Sequence, residues 1–208
     1  MLELNRLYNM DCMHGMQEFP DGFFDLAIVD PPYGLVDAGA KKGGEKGVMT
    51  NRTFRISNIQ SWDHAPGPEY FEELFRVSKN QIIWGANYFS LPPCRCFIVW
   101  DKKQPFESFS RCEYAWTSFK SPAKIFEFDN RYSGKIHPTQ KPVQLYKWLL
   151  YNYAKEGHIV LDTHTGSASS LIACYDMKCP FIGFELDEGY FKAASERLQL
   201  HRDQLTLF

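Results

Sequence analysis

Short apolar runs alternate with longer stretches of helical period along most of this chain, and that alternation is the strongest constraint on its fold. The runs predict strands at Leu7–Met10, Asp25–Asp30, Gln81–Gly85, Cys96–Asp101, Glu113–Phe119, Lys124–Phe128, His158–Asp162 and Phe181–Glu185. The periodic stretches predict helices at Cys12–Glu18, Pro68–Lys79, Pro142–Lys155, Ser167–Met177 and Glu188–Arg202. Pro142 is expected at the first helical position, where its missing N–H costs nothing. Strand and helix alternate at both ends of the chain, the pattern of an α/β protein. From Cys96 to Phe128 three strands follow one another without a helix, so they are expected to run antiparallel and to make the sheet mixed. With no internal repeat or low-complexity segment, residues 1–208 read as a single domain, long enough to bury a core without disulfide or metal staples.

Composition removes several alternatives. Lys plus Arg is 23 against 25 for Asp plus Glu, a formal charge of −2, which excludes a polybasic, histone-like nucleic-acid partner but leaves room for a local basic face. No apolar run approaches the roughly 18 residues that cross a bilayer, so no membrane partner is expected. The start, Met1-Leu2-Glu3-Leu4-Asn5-Arg6, lacks the basic and apolar regions of a signal peptide. The six cysteines (Cys12, Cys94, Cys96, Cys112, Cys174 and Cys179) form no Cys-x-x-Cys pair. They are expected to be buried reduced thiols in a reducing, cytoplasmic compartment, with no metal site.

Three constellations carry chemistry. In Phe24-Asp25-Leu26-Ala27-Ile28-Val29-Asp30-Pro31-Pro32-Tyr33-Gly34 an apolar strand runs straight into an acid, two prolines and an aromatic. The prolines stiffen the turn and hold Asp30 and Tyr33 at the strand's carboxyl end, where ligands of open α/β sheets bind. In His158-Ile159-Val160-Leu161-Asp162-Thr163-His164-Thr165-Gly166-Ser167-Ala168-Ser169-Ser170 a strand ends in an acid, and a turn of small residues lets a ligand approach the backbone. Glu185 ends the next strand 23 residues after Asp162, placed to accept hydrogen bonds from ribose hydroxyls. The pair reads as a nucleoside-binding βαβ unit; without Gly-x-Gly-x-x-Gly it has no pyrophosphate cradle, which disfavours a nicotinamide dehydrogenase. In Lys135-Ile136-His137-Pro138-Thr139-Gln140-Lys141-Pro142, the residues Thr139, Gln140 and Lys141 could satisfy a ligand carboxylate, or simply form a solvated helix cap.

Taken in order, Asp30-Pro31-Pro32-Tyr33, His137-Pro138-Thr139-Gln140-Lys141-Pro142 and Asp162 through Ser170 resemble the beta group of amino DNA methyltransferases, with the catalytic motif first and the cofactor motif last. The resemblance spans Asn9-Met10-Asp11-Cys12 to the helix after Glu185, and Ile83-Trp84-Gly85-Ala86-Asn87-Tyr88-Phe89 is similar to small solitary enzymes of phage or prophage type. Two departures stand out. Many relatives carry Asp-Pro-Phe and Gly-Ser-Gly where this chain has Asp162-Thr163-His164 and Gly166-Ser167-Ala168, and only Asp129–Ile136 is available as a recognition segment.

The resemblance implies a Rossmann-like S-adenosylmethionine methyltransferase fold: a mixed seven-stranded sheet, helices on both faces, permuted motif order, and the Asp30 strand beside the Asp162 strand. It implies transfer of a methyl group to the N6 amine of an adenine flipped out of double-stranded DNA. Asp30 and the Pro31 carbonyl would accept the amine hydrogens, Pro32 would stiffen the turn and Tyr33 would stack on the base; if stacking alone matters, Tyr33→Phe keeps most activity. Asp11, Asp30, Thr139, Lys141, Asp162, Thr163, Gly166, Ser167 and Glu185 would form the cofactor site, with no metal. Alternatives are N4 methylation of cytosine and, from another class, a catalytically silent DNA-binding subunit. A homodimer and a cognate restriction endonuclease are further partners the resemblance suggests.

The segment from Gly34 to Ser61 breaks the periodic pattern. It holds Lys41, Lys42, Lys46, Arg52 and Arg55 against Asp37 and Glu45, a net of +3, and it is attached to the turn at Tyr33. A loop of that length is expected to be functional, here as the phosphate contact for DNA, or else to be a solvated surface.

Overall fold

The computed structural model describes residues 1–34, 64–105, 110–129, 131, 135–136 and 139–205. Along the chain come β1 (Arg6–Asn9), α1 (Cys12–Gln17), β2 (Leu26–Val29), α2 (Pro68–Val77) and β3 (Gln81–Trp84). A short 3-10 turn at Ala86–Tyr88 follows, then β4 (Phe97–Asp101), β5 (Cys112–Thr117) and β6 (Lys124–Glu127). The last elements are α3 (Val143–Tyr153), β7 (Val160–Asp162), α4 (Ser169–Asp176), β8 (Phe181–Glu185) and α5 (Glu188–Leu205).

The four residues of β2 are all apolar because both faces of the strand are covered. Leu26 and Ile28 pack on one side with Ile82, Trp84, Leu145, Leu149 and Leu171, under α3, α4 and α5. Ala27 and Val29 pack on the other with Ile83, Phe24, Tyr70, Phe71 and Leu74, under α1 and α2. Each fully buried aliphatic is worth about 1.5–3 kcal/mol over exposure, which fixes β2 and β3 at the centre of three layers. Helix α2 starts as its sequence dictates, with Pro68 at the first helical position after Gly67. Pro142 is instead the cap of α3, with extended φ/ψ of −70° and 145°, so the expected first-position role belongs to Val143.

Among the described residues, eight strands form one sheet in the order β1-β8-β7-β2-β3-β5-β4-β6, one more than the seven expected. The neighbours from β1 to β3 are parallel, and β5 is antiparallel to both β3 and β4. The expectation for the three consecutive strands holds for β4 and β5. It fails for β6, which pairs in parallel with β4, Ile98 opposite Lys124. Strand β5 already has β3 and β4 on its two sides, so the outer edge of β4 is what remains for β6. The connection through α2 leads from β2 to β3 on one side, and that through α4 leads from β7 to β8 on the other. The adjacent pair β2 and β7 (Ala27 opposite Leu161) is therefore the topological switch point, with its crevice at the strands' carboxyl ends.

Cys96, Cys174 and Cys179 are buried and all six thiols are free, but Cys112 is exposed at the start of β5, against the expectation of uniform burial.

Candidate active site

Asp30 follows the last residue of β2 and is held through both carboxylate oxygens. The Tyr33 hydroxyl donates to Oδ1 at 2.6 Å, closing the proline turn on itself. The Lys141 ammonium pairs with Oδ2. Lys141 is 2% exposed and lies 3.0 Å from Glu113 Oε2 on β5, while the Lys102 ammonium lies 2.6 Å from Glu113 Oε1. Burial opposes the charge of Lys141, but the carboxylates of Asp30 and Glu113 outweigh it and hold the ammonium well above the usual lysine range. Burial likewise raises Glu113, and Lys141 and Lys102 reverse this to leave it below its ordinary value.

The Tyr33 ring is stacked on Tyr88 (centroids 4.7 Å apart, 16° between planes) and meets Phe89 edge-on at 6.1 Å. Burial raises the Tyr33 phenol. Tyr88, 47% exposed, carries the aromatic surface out to solvent. Gly85 makes this packing fit: its φ is +69°, and a Cβ there would lie 2.1 Å from Tyr33 Cε1.

The second half of the crevice lies at the ends of β7 and β8. Asp162 is 2% exposed; its Oδ1 accepts from the His164 N–H at 3.0 Å and its Oδ2 from the Ser170 hydroxyl. Burial, with the nearby charges of Asp30 and Glu185, pushes its carboxyl up to about 7 against two hydrogen bonds that lower it. Thr163 Oγ1 is bonded to the Tyr70 hydroxyl at 2.6 Å and to His164 Nδ1 at 2.9 Å, and burial holds the His164 imidazole down to about 4. Glu185 Oε2 accepts from the Gly166 N–H at 2.8 Å and Oε1 from the Asp187 N–H at 2.9 Å, joining the turns after β7 and β8. Burial raises its carboxyl. Ser167 is buried, and its carbonyl accepts from Arg197 of α5 at 2.6 Å.

The structure thus gathers Asp30, Pro31, Pro32, Tyr33 and Lys141 on one side of the switch point and Asp162, Thr163, Gly166, Ser167 and Glu185 on the other. Asp11, at the carboxyl end of β1, caps α1 by accepting from the Met13 N–H at 2.7 Å. Thr139 is exposed, two residues before Lys141 in the chain. Lys41, Lys42, Lys46, Arg52, Arg55, His137 and Pro138 lie outside the described residues. Sequence reasoning missed Glu113, Lys102, Tyr70, Tyr88 and Arg197. A signal existed for Tyr88, three residues after Gly85 in an aromatic stretch; none of the others stands in a motif.

Solved structures share this fold. The M1.HpyAVI–SAM complex superposes with a TM-score of 0.60 at 20% identity, covering 92% of this chain and 98% of that one. The cytosine-N4-specific PvuII DNA methyltransferase gives 0.61 at 12% identity, covering 95% and 91%. The fold is that of the S-adenosylmethionine-dependent DNA methyltransferases. A family described as DNA methylase matches residues 98–196, and the type II methyltransferase M.HpaI of Haemophilus parainfluenzae is 34% identical over 243 residues, 93% of this chain and 74% of that protein. The chain belongs to the DNA methylase family, as its beta-group motifs lead one to expect.

Proposed function

We propose that this chain transfers the methyl group of S-adenosylmethionine to the N6 amine of an adenine flipped out of double-stranded DNA. The observation that carries this reading is the Asp30-Pro31-Pro32-Tyr33 turn beside the Asp162–Glu185 crevice across one switch point. The crevice suits such a cofactor: the charges of Asp30 and Glu185 help to raise the buried Asp162 carboxyl, and a sulfonium cation there relieves that repulsion. Glu185 would hold the ribose hydroxyls, and the backbone of the Gly166–Ser167 turn, with Thr163, would approach the amino-acid end, with Thr139 at the rim. Asp11 would line the adenosine side. When bound, the cofactor supplies a methyl group made electrophilic by the positive charge of its sulfonium sulfur.

The chain's own part is to prepare the nucleophile. An adenine amine is weakly nucleophilic because its lone pair is delocalised into the ring. Asp30 and the Pro31 carbonyl accept its two hydrogens, turning the lone pair out of the ring plane toward the methyl group, with Asp30 the adjacent acceptor for the proton that is lost. The base must leave the duplex for this, and a tyrosine ring such as Tyr33 contributes roughly 1–3 kcal/mol of stacking.

Purified protein incubated with duplex DNA and labelled S-adenosylmethionine should yield N6-methyladenine on nucleoside analysis, and Asp30→Ala should abolish the label while leaving cofactor binding largely intact. The fold likeness to a cytosine-N4-specific enzyme supports a second reading, and N4-methylcytosine in the same digest would establish it. Aspartate at the head of the motif favours adenine. An unlabelled digest would support a silent DNA-binding subunit.

A further inference from the structure

Among the described residues Lys141 is the one lysine or arginine that is buried. A buried ammonium needs a counter-charge, and Asp30 alone supplies one. Glu113 is a second carboxylate on the same cation, and its surplus negative charge is in turn balanced by Lys102, whose side chain is 13% exposed. Two cations and two anions thus run in alternation from the β4–β5 surface to the catalytic turn: Lys102, Glu113, Lys141, Asp30. The row is fixed from below. Glu113 lies opposite Trp100 and Ala115 opposite Trp84 in the β4–β5–β3 ladder, so all four share one face of the sheet. The Lys141 ammonium stands 5.4 Å from the Trp84 ring and the Lys102 ammonium 5.7 Å from the Trp100 ring.

We propose that Glu113, held by Lys102, is a positioning residue for methyl transfer that fixes the Asp30 carboxylate through Lys141. The inference rests on the methyltransferase reading above. A carboxylate has about four acceptor sites. Tyr33 takes one on Oδ1 and Lys141 one on Oδ2, and the remaining ones are left for an amine. That orientation is only as firm as the ammonium behind it. Asp30 alone holds Lys141 from one side; Glu113 restrains it from the other. Without Glu113, Lys141 is free to move with Asp30, and the acceptor drifts relative to the methyl donor, although neither the donor nor the DNA loses a contact.

Glu113→Gln keeps the shape and removes the charge. Its kcat for DNA methylation should fall about ten- to a hundredfold, as displacement of a reacting group does, with KM for DNA and Kd for S-adenosylmethionine within about twofold of wild type. Lys102→Gln should lower kcat by a smaller factor, and the double variant should be no worse than Glu113→Gln, because Lys102 acts through Glu113. If Glu113→Gln does not fold, Lys102→Gln carries the test by the same kcat-against-KM split. An active wild type whose folded Glu113→Gln keeps kcat within about twofold, or a double variant in which the two losses multiply, overturns the role of Glu113 while leaving the proposed function standing. A folded wild type that binds no S-adenosylmethionine and methylates no DNA overturns both.

Discussion

The Tyr33 hydroxyl has a partner that a stacking role does not require: it donates to Asp30 at 2.6 Å. The expectation that Tyr33→Phe keeps most activity therefore gives way. A hydrogen bond to a charged acceptor is worth about 1.5–3 kcal/mol, so Tyr33→Phe should lose roughly ten- to a hundredfold in kcat, and Tyr33→Ala more, in single-turnover methylation. Asp162 and His164 make a second case in which neighbours decide behaviour. Asp162 titrates at about 7 rather than 3.8, so between those values the folded state binds the extra proton and stability falls as pH rises, by about 4 kcal/mol in full. His164 titrates at about 4 rather than 6.5, so there the unfolded chain binds more protons and stability rises with pH, by about 3 kcal/mol. The two slopes oppose each other from about pH 4 to 6.5. Asp162→Asn removes the first and exposes the second. From pH 5 to 7 the variant should gain about 2 kcal/mol on wild type, a relative rise of about 4–8 °C in Tm by calorimetry. Parallel melting curves for the two proteins over that range would refute the assignment.

At the scale of elements, two turns place the site and both use left-handed backbone. After β3, Gly85 combines a φ of +69° with the Tyr33 ring where a side chain would begin. Gly85→Ala should cost about 1–2 kcal/mol for the backbone alone. It should also displace Tyr33, lowering methyl transfer while calorimetry still shows S-adenosylmethionine bound across the switch point. Before α4, Ala168 has a φ of 61° and a ψ of 21°, which explains why related enzymes carry glycine at this step. Alanine is tolerated because its methyl is fully buried, and burial of one such group returns about 0.8 kcal/mol of the conformational cost.

Across the whole molecule the charge is too evenly balanced to hold DNA by itself, so phosphate contacts must be concentrated. The stretch attached to Tyr33 with Lys41, Lys42 and Lys46 is our proposal for that role. Neutralising all three should flatten the slope of log affinity against log salt by about 2–3 units on duplex DNA, with cofactor affinity unchanged. An unaltered slope would assign DNA binding elsewhere, first to the basic residues between Lys102 and Lys135.

The elements were legible in the sequence because their determinants are local. Strand ends fell within about two residues of prediction, since an apolar run stops where Asp30-Pro31 or Asp162-Thr163 begins, and turn chemistry depends on adjacent residues. The pairing of β2 with β7 was what the family resemblance implied. Other features depend on which strands share an edge, which no local pattern records. Strand β6 went to β4 because β5 had no free side. Lys141 met Asp30 across 111 positions of sequence, and Glu113 joined them only because antiparallel β5 carries it on the same face of the sheet as Trp84, beside the Lys141 ammonium. Residue types and turns were thus set by the chain itself. The partners of each charge were decided by tertiary packing, because a buried ion is stable only where the fold brings its counter-charges together.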